Sequence, residues 1–139
     1  ILRLRGTLKD FEIVPIQGKN EEEVARILGE SLIFLSFSCQ EGCPLPPMEA
    51  MARGCVVVGY PGRGGKEYFR RKFCYPVEDS DVIGFARAVE RVLRQYVAGG
   101  SARLLDRGRS ASRYILREYS QIREEQSVMC AWRRILRKS

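Results

Sequence analysis

The sequence predicts an α/β domain with a parallel sheet, and three observations support this prediction. From Phe11 to Val97, short apolar runs alternate with segments of helical periodicity. The connections between them are short, so consecutive strands should run parallel through right-handed crossovers. The chain has 139 residues, 45% of them hydrophobic, which is enough for one domain with a core.

Three apolar runs are predicted to be strands. Phe11–Ile16 is a short β-branched run that ends near Gly18, and we expect it to be a buried strand. Leu32–Phe37 and Cys55–Gly59 are apolar on both faces, as buried parallel strands are. Ligands of such sheets bind beyond the carboxyl ends of the strands. The candidate site is therefore formed by three loops: Gln17–Asn20, Ser38–Leu45 and Tyr60–Lys66.

The first helices are predicted from their capping residues. Ile1–Arg5 has apolar positions that suit the end of a helix, with Gly6 as its stop. Asn20 is a predicted N-cap, because the acidic residues Glu21–Glu23 follow it, where they suit the helix dipole. That helix is expected to present Val24, Ile27 and Leu28 to the core and to end near Gly29.

Four further segments are predicted to be helices: Pro46–Arg53, Val82–Val97, Ser101–Tyr119 and Gln121–Arg137. Proline suits a first helical turn because its missing N–H would be unpaired there. Gly54 is expected to close the first of these helices, and Gly99 the second. The last two are basic and amphipathic, and Met129 and Trp132 are expected to pack against the core or another domain.

The composition excludes several classes of chemistry. The chain has no histidine, which excludes Ser-His-Asp and Cys-His catalysis and any histidine-ligated metal. Five cysteines at irregular spacing match neither a zinc pattern nor a disulfide framework, so we expect a reduced, cytoplasmic protein. The sequence contains no apolar stretch of about 18 residues and no recognisable signal peptide.

The charge is distributed unevenly. Residues 1–60 carry six basic and eight acidic side chains, whereas residues 61–139 carry eighteen basic and nine acidic ones. The basic half predicts an anionic partner: a nucleotide diphosphate, a membrane surface or a nucleic acid. The alternative is a solvated helical surface that is rich in arginine.

One segment, residues 41–58, combines the features of a binding site. Glu41 lies in a loop after a predicted strand, and Glu49 follows after seven intervening residues, in the predicted first turn of the next helix. Loop N–H groups and a helix N-terminus suit a phosphate, and a carboxylate suits the hydroxyls of a sugar. A glutamate in a first turn also simply complements the helix dipole.

The order of residues in this segment resembles the signature of the group-1 family of retaining glycosyltransferases. Glu-Gly, Leu-Pro-Pro and Glu-Ala-Met-Ala precede a glycine and an apolar strand. The turn Gly64–Glu67 resembles the family's later Gly-Gly element, and Tyr75–Asp79 and Glu118–Ser120 resemble the segments before its next helices. The resemblance runs from about Phe11 to the C-terminus.

The resemblance implies a partial Rossmann-like parallel sheet flanked by helices, with two C-terminal helices, within a two-domain (GT-B) enzyme. Because the chain begins with Ile1, we expect residues 1–139 to be an incomplete C-terminal nucleotide-sugar-binding domain that lacks the N-terminal acceptor domain. The isolated chain is then expected to bind nucleotides weakly and to transfer no sugar. The implied reaction retains configuration and needs no metal and no cofactor besides the nucleotide-sugar substrate.

The resemblance also implies roles for individual residues. Glu41 would bind the hydroxyls of the donor sugar, and Glu49 would bind the ribose of the nucleotide. The remaining donor-binding groups would be the backbone N–H groups of Gly42, Cys43 and Leu45, which face the sugar and diphosphate, and Pro15 and Ile16, which lie near the base. Lipid-linked acceptors are common in the family, so an anionic membrane surface at the inner membrane face is one candidate partner of the arginine-rich residues 101–139, and a solvated surface is the alternative.

The sequence departs from the family pattern in two places. Pro44 stands where the family usually has glycine, and proline removes an N–H donor. Nothing in residues 1–10 matches the family's basic diphosphate-binding residues. Arg63 and Lys66 are candidate phosphate contacts, although the alternative, a solvated turn, is favoured. A P-loop is excluded, because Tyr60 and Glu67 stand where it needs glycine and serine or threonine.

Two other functions stay open at this point. The first alternative is a non-catalytic nucleotide-binding module, which Pro44 and the absence of the basic loop favour. The second is a basic nucleic-acid-binding domain. We expect no nucleic acid as partner, because no known motif is present and aromatic residues are not interleaved with the basic ones.

Overall fold

The computed structural model describes Leu2 and residues 5–38 and 41–137. The elements in chain order are α1 (Glu21–Glu30), β1 (Ile33–Ser38), α2 (Leu45–Ala52), β2 (Val56–Pro61), a 3₁₀ helix (Gly64–Glu67), β3 (Tyr75–Pro76), α3 (Val82–Gln95), a π-helical turn (Tyr96–Gly100), α4 (Ser101–Glu118) and α5 (Gln121–Leu136). The predicted fold class is confirmed: a parallel sheet is flanked by helices, and two helices end the chain.

The sheet has the order β1-β2-β3, and both pairings are parallel. The central strand β2 is buried along its whole length. Successive side chains of a strand point to opposite faces, and accordingly Val57 packs into one core cluster and Val58 into another. The first cluster includes Met51 of α2 and Ala111 of α4, and the second includes Val89 of α3. The sheet therefore carries a hydrophobic core on each face.

The predicted cap of α1 is confirmed. The Asn20 side chain accepts a hydrogen bond from the Glu23 N–H at 2.9 Å, and the Glu23 side chain accepts one from the Asn20 N–H at 3.1 Å. This reciprocal pair satisfies two N–H groups that a helix start leaves unpaired. Ile27 and Leu28 are buried as predicted. The helix continues through Gly29 and ends at Glu30, with Ser31 as its C-cap.

The predicted strand Phe11–Ile16 is wrong. The segment has no regular secondary structure, and Ile13 and Val14 are 48% and 43% exposed. A strand needs a neighbour for its N–H and C=O groups, and no described strand pairs with this segment. The ring of Phe11 instead meets Tyr96 edge to face, with centroids 6.0 Å apart.

The predicted helix end at Ile1–Arg5 stays a prediction. Residues 1, 3 and 4 lie outside the described part of the chain, and Leu2 and residues 5–10 form turns. The sequence analysis also missed β3, a two-residue strand that pairs with β2. α3 ends at Gln95 rather than Val97, and the chain then leaves helical geometry at Gly99, where φ is +82°.

The two C-terminal helices are confirmed, but only the first packs on the core. In α4, the Ser112 hydroxyl donates to the Ala52 carbonyl at 2.7 Å, and Gly108 lies so close to the Gly54 carbonyl that a Cβ would overlap it. α5 buries none of its residues, and Met129 and Trp132 are more than half exposed. Their predicted packing against the core of this domain is therefore wrong. Within the described residues, no helix is both long and apolar enough to cross a membrane.

Candidate functional site

Two of the three predicted loops meet beyond the carboxyl ends of β1 and β2. The Glu41 carbonyl accepts hydrogen bonds from the N–H groups of Arg63 and Gly64, at 3.0 and 3.4 Å. Neighbouring parallel strands end at the same edge of a sheet, where ligands of α/β domains bind. The hydrogen bonds therefore join the glutamate loop (residues 41–45) to the glycine turn (residues 62–65) at the edge where the sequence predicts the site.

The glycine turn packs against the glutamate loop backbone to backbone. A Cβ on Gly64 would overlap the carbonyl oxygen of Gly42, and a Cβ on Gly62 would lie 3.3 Å from the carbonyl oxygen of Glu41. Gly62 also has a φ of +63°, which a side chain disfavours. The glycines of this turn are therefore required for the close approach of the two loops.

Pro44 is built into this contact. It is the N-cap residue of α2 and is buried, with its ring against Gly65, where a Cβ would lie 3.1 Å from the proline Cγ. The hydroxyl of Tyr68 donates a hydrogen bond to the Pro44 carbonyl. Proline at this position, which departs from the family pattern, thus occupies a space that glycines leave open.

Tyr68 is a site residue that the sequence analysis missed. It is only 1% exposed, and burial raises the pKa of its hydroxyl well above the ordinary value. The nearby Cys43, Cys74, Tyr119 and Glu41 raise this pKa further. Tyr68 therefore remains a neutral hydrogen-bond donor at neutral pH. Its partner is 24 residues away in sequence, so no local pattern indicated the contact.

Glu41 and Glu49 are both exposed. The expectation that Glu49 lies in the first turn of its helix is wrong, because α2 begins at Leu45 and has no acidic residue in its first turn. Dipole complementation acts within the first turn. It is therefore a weaker explanation for Glu49 than the sequence suggested.

The start of α2 offers few N–H donors. Pro44, Pro46 and Pro47 carry no N–H, so Leu45 is the only donor among residues 44–47. Gly42 and Cys43 are exposed in the preceding loop, and neither N–H group donates to another backbone carbonyl of the residues that the structure describes. An anion at this edge would therefore rely on Gly42, Cys43 and Leu45, the three donors that the family resemblance implies.

Basic side chains lie at the same edge. Arg63 and Lys66 are exposed on and beside the glycine turn. Lys66 lines an open cleft near the ends of β2 and β3, together with Pro61, Phe69, Arg71, Pro76, Val77, Glu78 and Asp79. Lys66 therefore shares this cleft with acidic residues, whereas Arg63 is exposed on the turn that contacts the glutamate loop.

The third predicted loop is not joined to the other two. Pro15 is exposed and Ile16 half-buried, and the Ile16 carbonyl accepts a hydrogen bond from the Lys19 N–H within their own turn. None of the hydrogen bonds of the described residues connects Pro15 or Ile16 to the glutamate loop. Their predicted place beside a nucleotide base stays a prediction.

The described residues contain no cluster of three or more acidic, cysteine or histidine side chains that could hold a metal ion. Cys43 is an exposed thiol, and Cys39 lies outside the described residues. Cys55 and Cys74 are buried, and burial raises their pKa to about 11 and about 12. These two buried cysteines therefore serve the core.

Comparison with known proteins identifies the family. The model for glycosyl transferases group 1 matches residues 12–110. An alpha-1,6-glucosyltransferase from Actinobacillus pleuropneumoniae serotype 7 (strain AP76) is 49% identical over 61 residues, which are 44% of this chain and 18% of that protein. The matched segment thus covers less than a fifth of that relative's length. No solved structure matches. Because the family match spans most of the chain and includes both loops of the candidate site, the chain belongs to the group 1 glycosyltransferases.

Proposed function

We propose that this chain is the donor-binding part of a retaining glycosyltransferase that moves a hexosyl group from a nucleotide-diphosphate sugar to an acceptor. Family membership supports glycosyl transfer. The observation that carries the proposal is the hydrogen-bonded junction of Glu41 with Arg63 and Gly64, which brings a carboxylate loop and a basic turn to the ligand-binding edge of the sheet. Because a relative is named a glucosyltransferase, glucose is the first donor sugar to test.

In the proposed mechanism, the protein acts by positioning and electrostatics. Glu41 holds the hydroxyls of the donor sugar, and Glu49 holds the ribose. The N–H groups of Gly42, Cys43 and Leu45 bind the diphosphate. Arg63 and Lys66 stabilise the negative charge that develops on the leaving diphosphate, so no metal ion is required. The acceptor is held by an N-terminal domain outside this chain, in the two-domain arrangement that the family resemblance implies.

The decisive experiment offers the complete enzyme a panel of nucleoside diphosphates and nucleotide sugars. A cognate ligand in large excess over its Kd should raise the melting temperature by several degrees. Transfer should then be assayed with that donor in the presence of a chelator, which tests metal independence directly. Binding without turnover would identify a non-catalytic nucleotide-binding module. Salt-steep binding of a polynucleotide in place of nucleotides would overturn the proposal.

Glu49→Ala should weaken binding of the cognate nucleoside diphosphate about tenfold or more, the effect of losing one hydrogen bond to a charged group. The fold should be unaffected, because Glu49 is exposed. Calorimetry on the complete enzyme measures the Kd. The matched control is Glu30→Ala, since Glu30 is exposed at the far end of α1 and forms an ion pair with Arg26 at 3.1 Å. Equal affinities for the two variants would remove Glu49 from the site.

We infer that α5 lies on an anionic membrane surface, which makes the enzyme peripheral on the cytoplasmic side. The helix has exposed apolar residues at helical spacing, namely Val128, Met129, Trp132 and Leu136. Arg123, Arg134 and Arg137 lie on the opposite side of a helical wheel, and Arg133 lies at the flank of the apolar side. A helix of this kind binds in the interface of an anionic bilayer.

Trp132 is the only tryptophan of residues 1–139 and reports on this contact. Its fluorescence should shift to shorter wavelength with vesicles that contain anionic lipid, and the shift should weaken with added salt. Arg133→Gln with Arg134→Gln should weaken binding severalfold. The same charge loss on α3, in Arg87→Gln with Arg91→Gln, should have less effect. An unchanged spectrum with anionic vesicles would show that the apolar side of α5 meets another part of the protein instead.

A further inference from the structure

Two carbonyls of the glutamate loop accept hydrogen bonds from residues 63–68, and a side chain is the donor at the second. We propose that Tyr68 is a positioning residue for donor binding: its hydroxyl fixes the Pro44 carbonyl, and thereby the direction of α2 and the spacing of Glu41 and Glu49. The inference rests on the proposed function, because it concerns how the proposed donor site is held in shape.

The first fixed point is the Glu41 carbonyl. It accepts hydrogen bonds from the N–H groups of Arg63 and Gly64 at 3.0 and 3.4 Å. These are backbone bonds from the glycine turn, and no side chain takes part in them. These two hydrogen bonds fix the loop at Glu41. The other end of the loop, where α2 begins, is fixed by a different contact.

The second fixed point is the Pro44 carbonyl, which accepts the hydrogen bond of Tyr68. The proline ring fixes the φ of this residue at −70° and packs beside Gly62 and Gly65, at 3.6 and 3.1 Å from their ideal Cβ positions. Pro44 is the N-cap of α2, so its carbonyl orientation sets the start of the helix that carries Glu49. Gly42 and Cys43 lie between the two fixed points and stay exposed.

Tyr68 is suited to this task because its own position is fixed. Its ring lies 6.0 Å from that of Tyr119 and 6.3 Å from that of Phe69, and the residue is 1% exposed. The ring therefore packs in the hydrophobic core, whereas the hydroxyl hydrogen-bonds to the glutamate loop. The two roles can be separated experimentally, since phenylalanine retains the ring and removes only the hydroxyl.

The test compares Tyr68→Phe with Tyr75→Phe in the complete enzyme. Tyr75 is the matched control, because its hydroxyl donates to the Gln95 side chain of α3 at 2.9 Å and not to the loop. Tyr68→Phe should raise the Kd for the nucleoside diphosphate and the KM for the donor severalfold, with about tenfold as the upper limit, because the contribution of one buried hydrogen bond to holding the loop is lost. The KM for the acceptor should not change, and Tyr75→Phe should leave all three constants near wild type.

A second readout follows the loop without any ligand. Cys43 is exposed within the loop, so its rate of modification by a thiol reagent reports the loop's conformation. In a background with Cys39→Ser and Cys130→Ser, Tyr68→Phe should accelerate modification of Cys43 severalfold relative to Tyr75→Phe. Equal rates and equal donor affinities for the two variants would overturn the positioning role of Tyr68.

Two further results of these experiments have a definite interpretation. If Tyr68→Phe does not fold, Gly65→Ala tests whether the position of Pro44 controls the loop, because the added Cβ would press on the Pro44 ring. Gly65→Ala should likewise accelerate Cys43 modification, and an unchanged rate would overturn the inference. If the wild-type enzyme binds no nucleoside diphosphate but Tyr68→Phe still alters Cys43 reactivity, the proposed function fails and the positioning of the loop stands.

Discussion

Glu41→Gln is expected to lower kcat/KM for sugar transfer by about 100-fold or more in the complete enzyme, the scale of losing one electrostatic contact to the reacting group. The Kd of the nucleoside diphosphate should change little, because Glu41 is proposed to touch the sugar and not the nucleotide. The kcat/KM with the cognate donor and the Kd of the nucleoside diphosphate should be measured for each variant. A large loss of kcat/KM with little change in Kd distinguishes the role of Glu41 from that of Glu49.

Glutamine is the informative replacement because of how the loop is held. The Glu41 carbonyl anchors the loop to the N–H groups of Arg63 and Gly64, and this backbone contact does not depend on the side chain. A loss of activity in Glu41→Gln therefore reports the charge and not the loop geometry. Glu30→Gln, at an exposed position in α1, is the matched control. Near-normal transfer by Glu41→Gln would show that the glutamate is a bystander.

Only those features of the candidate site that depend on local sequence patterns could be predicted. Glu41 follows a strand and Glu49 lies on the next helix, so the strand–loop–helix order put both near the ligand-binding edge. The turn that holds Glu49 was predicted wrongly, because proline marks a helix start only to within a residue or two. Tyr68 was missed because its partner, Pro44, is brought close by the fold alone.

In the fold as well, local interactions were predicted better than contacts between distant segments. The cap at Asn20 involves residues three positions apart, so the sequence contains the whole interaction. A strand is different, because its hydrogen bonds go to another segment. Phe11–Ile16 has the composition of a strand but pairs with none of the described strands. Conversely, β3 is too short to show a pattern and exists because β2 offers it a partner at Val58 and Gly59.

The largest effect on stability is expected from Gly59→Ala, which should lower the free energy of unfolding by about 3 kcal/mol or more. Gly59 pairs with Ser36 in the β1–β2 ladder and has a φ of +134°. An added Cβ would overlap the Ser36 carbonyl oxygen and would lie 2.6 Å from a ring carbon of Phe85. Since Phe85 also stacks on Phe37, with ring centroids 4.8 Å apart, the ring cannot move without disturbing a second contact.

Gly59→Ala therefore forces either the two strands or the α3 helix apart, and both choices open the core. A domain of this kind has only about 5–15 kcal/mol of stability in total, so the expected loss is a large part of it. Urea unfolding followed by circular dichroism measures the effect. The matched control is Gly29→Ala, whose Cβ would meet nothing within 4 Å inside α1. That variant should gain about 0.5–1 kcal/mol, because alanine favours a helix interior. Equal free energies of unfolding for the two variants would contradict the close approach of β1 and β2 at Gly59. The arrangement of the ligand-binding edge, which these two strands form, would then be wrong as well.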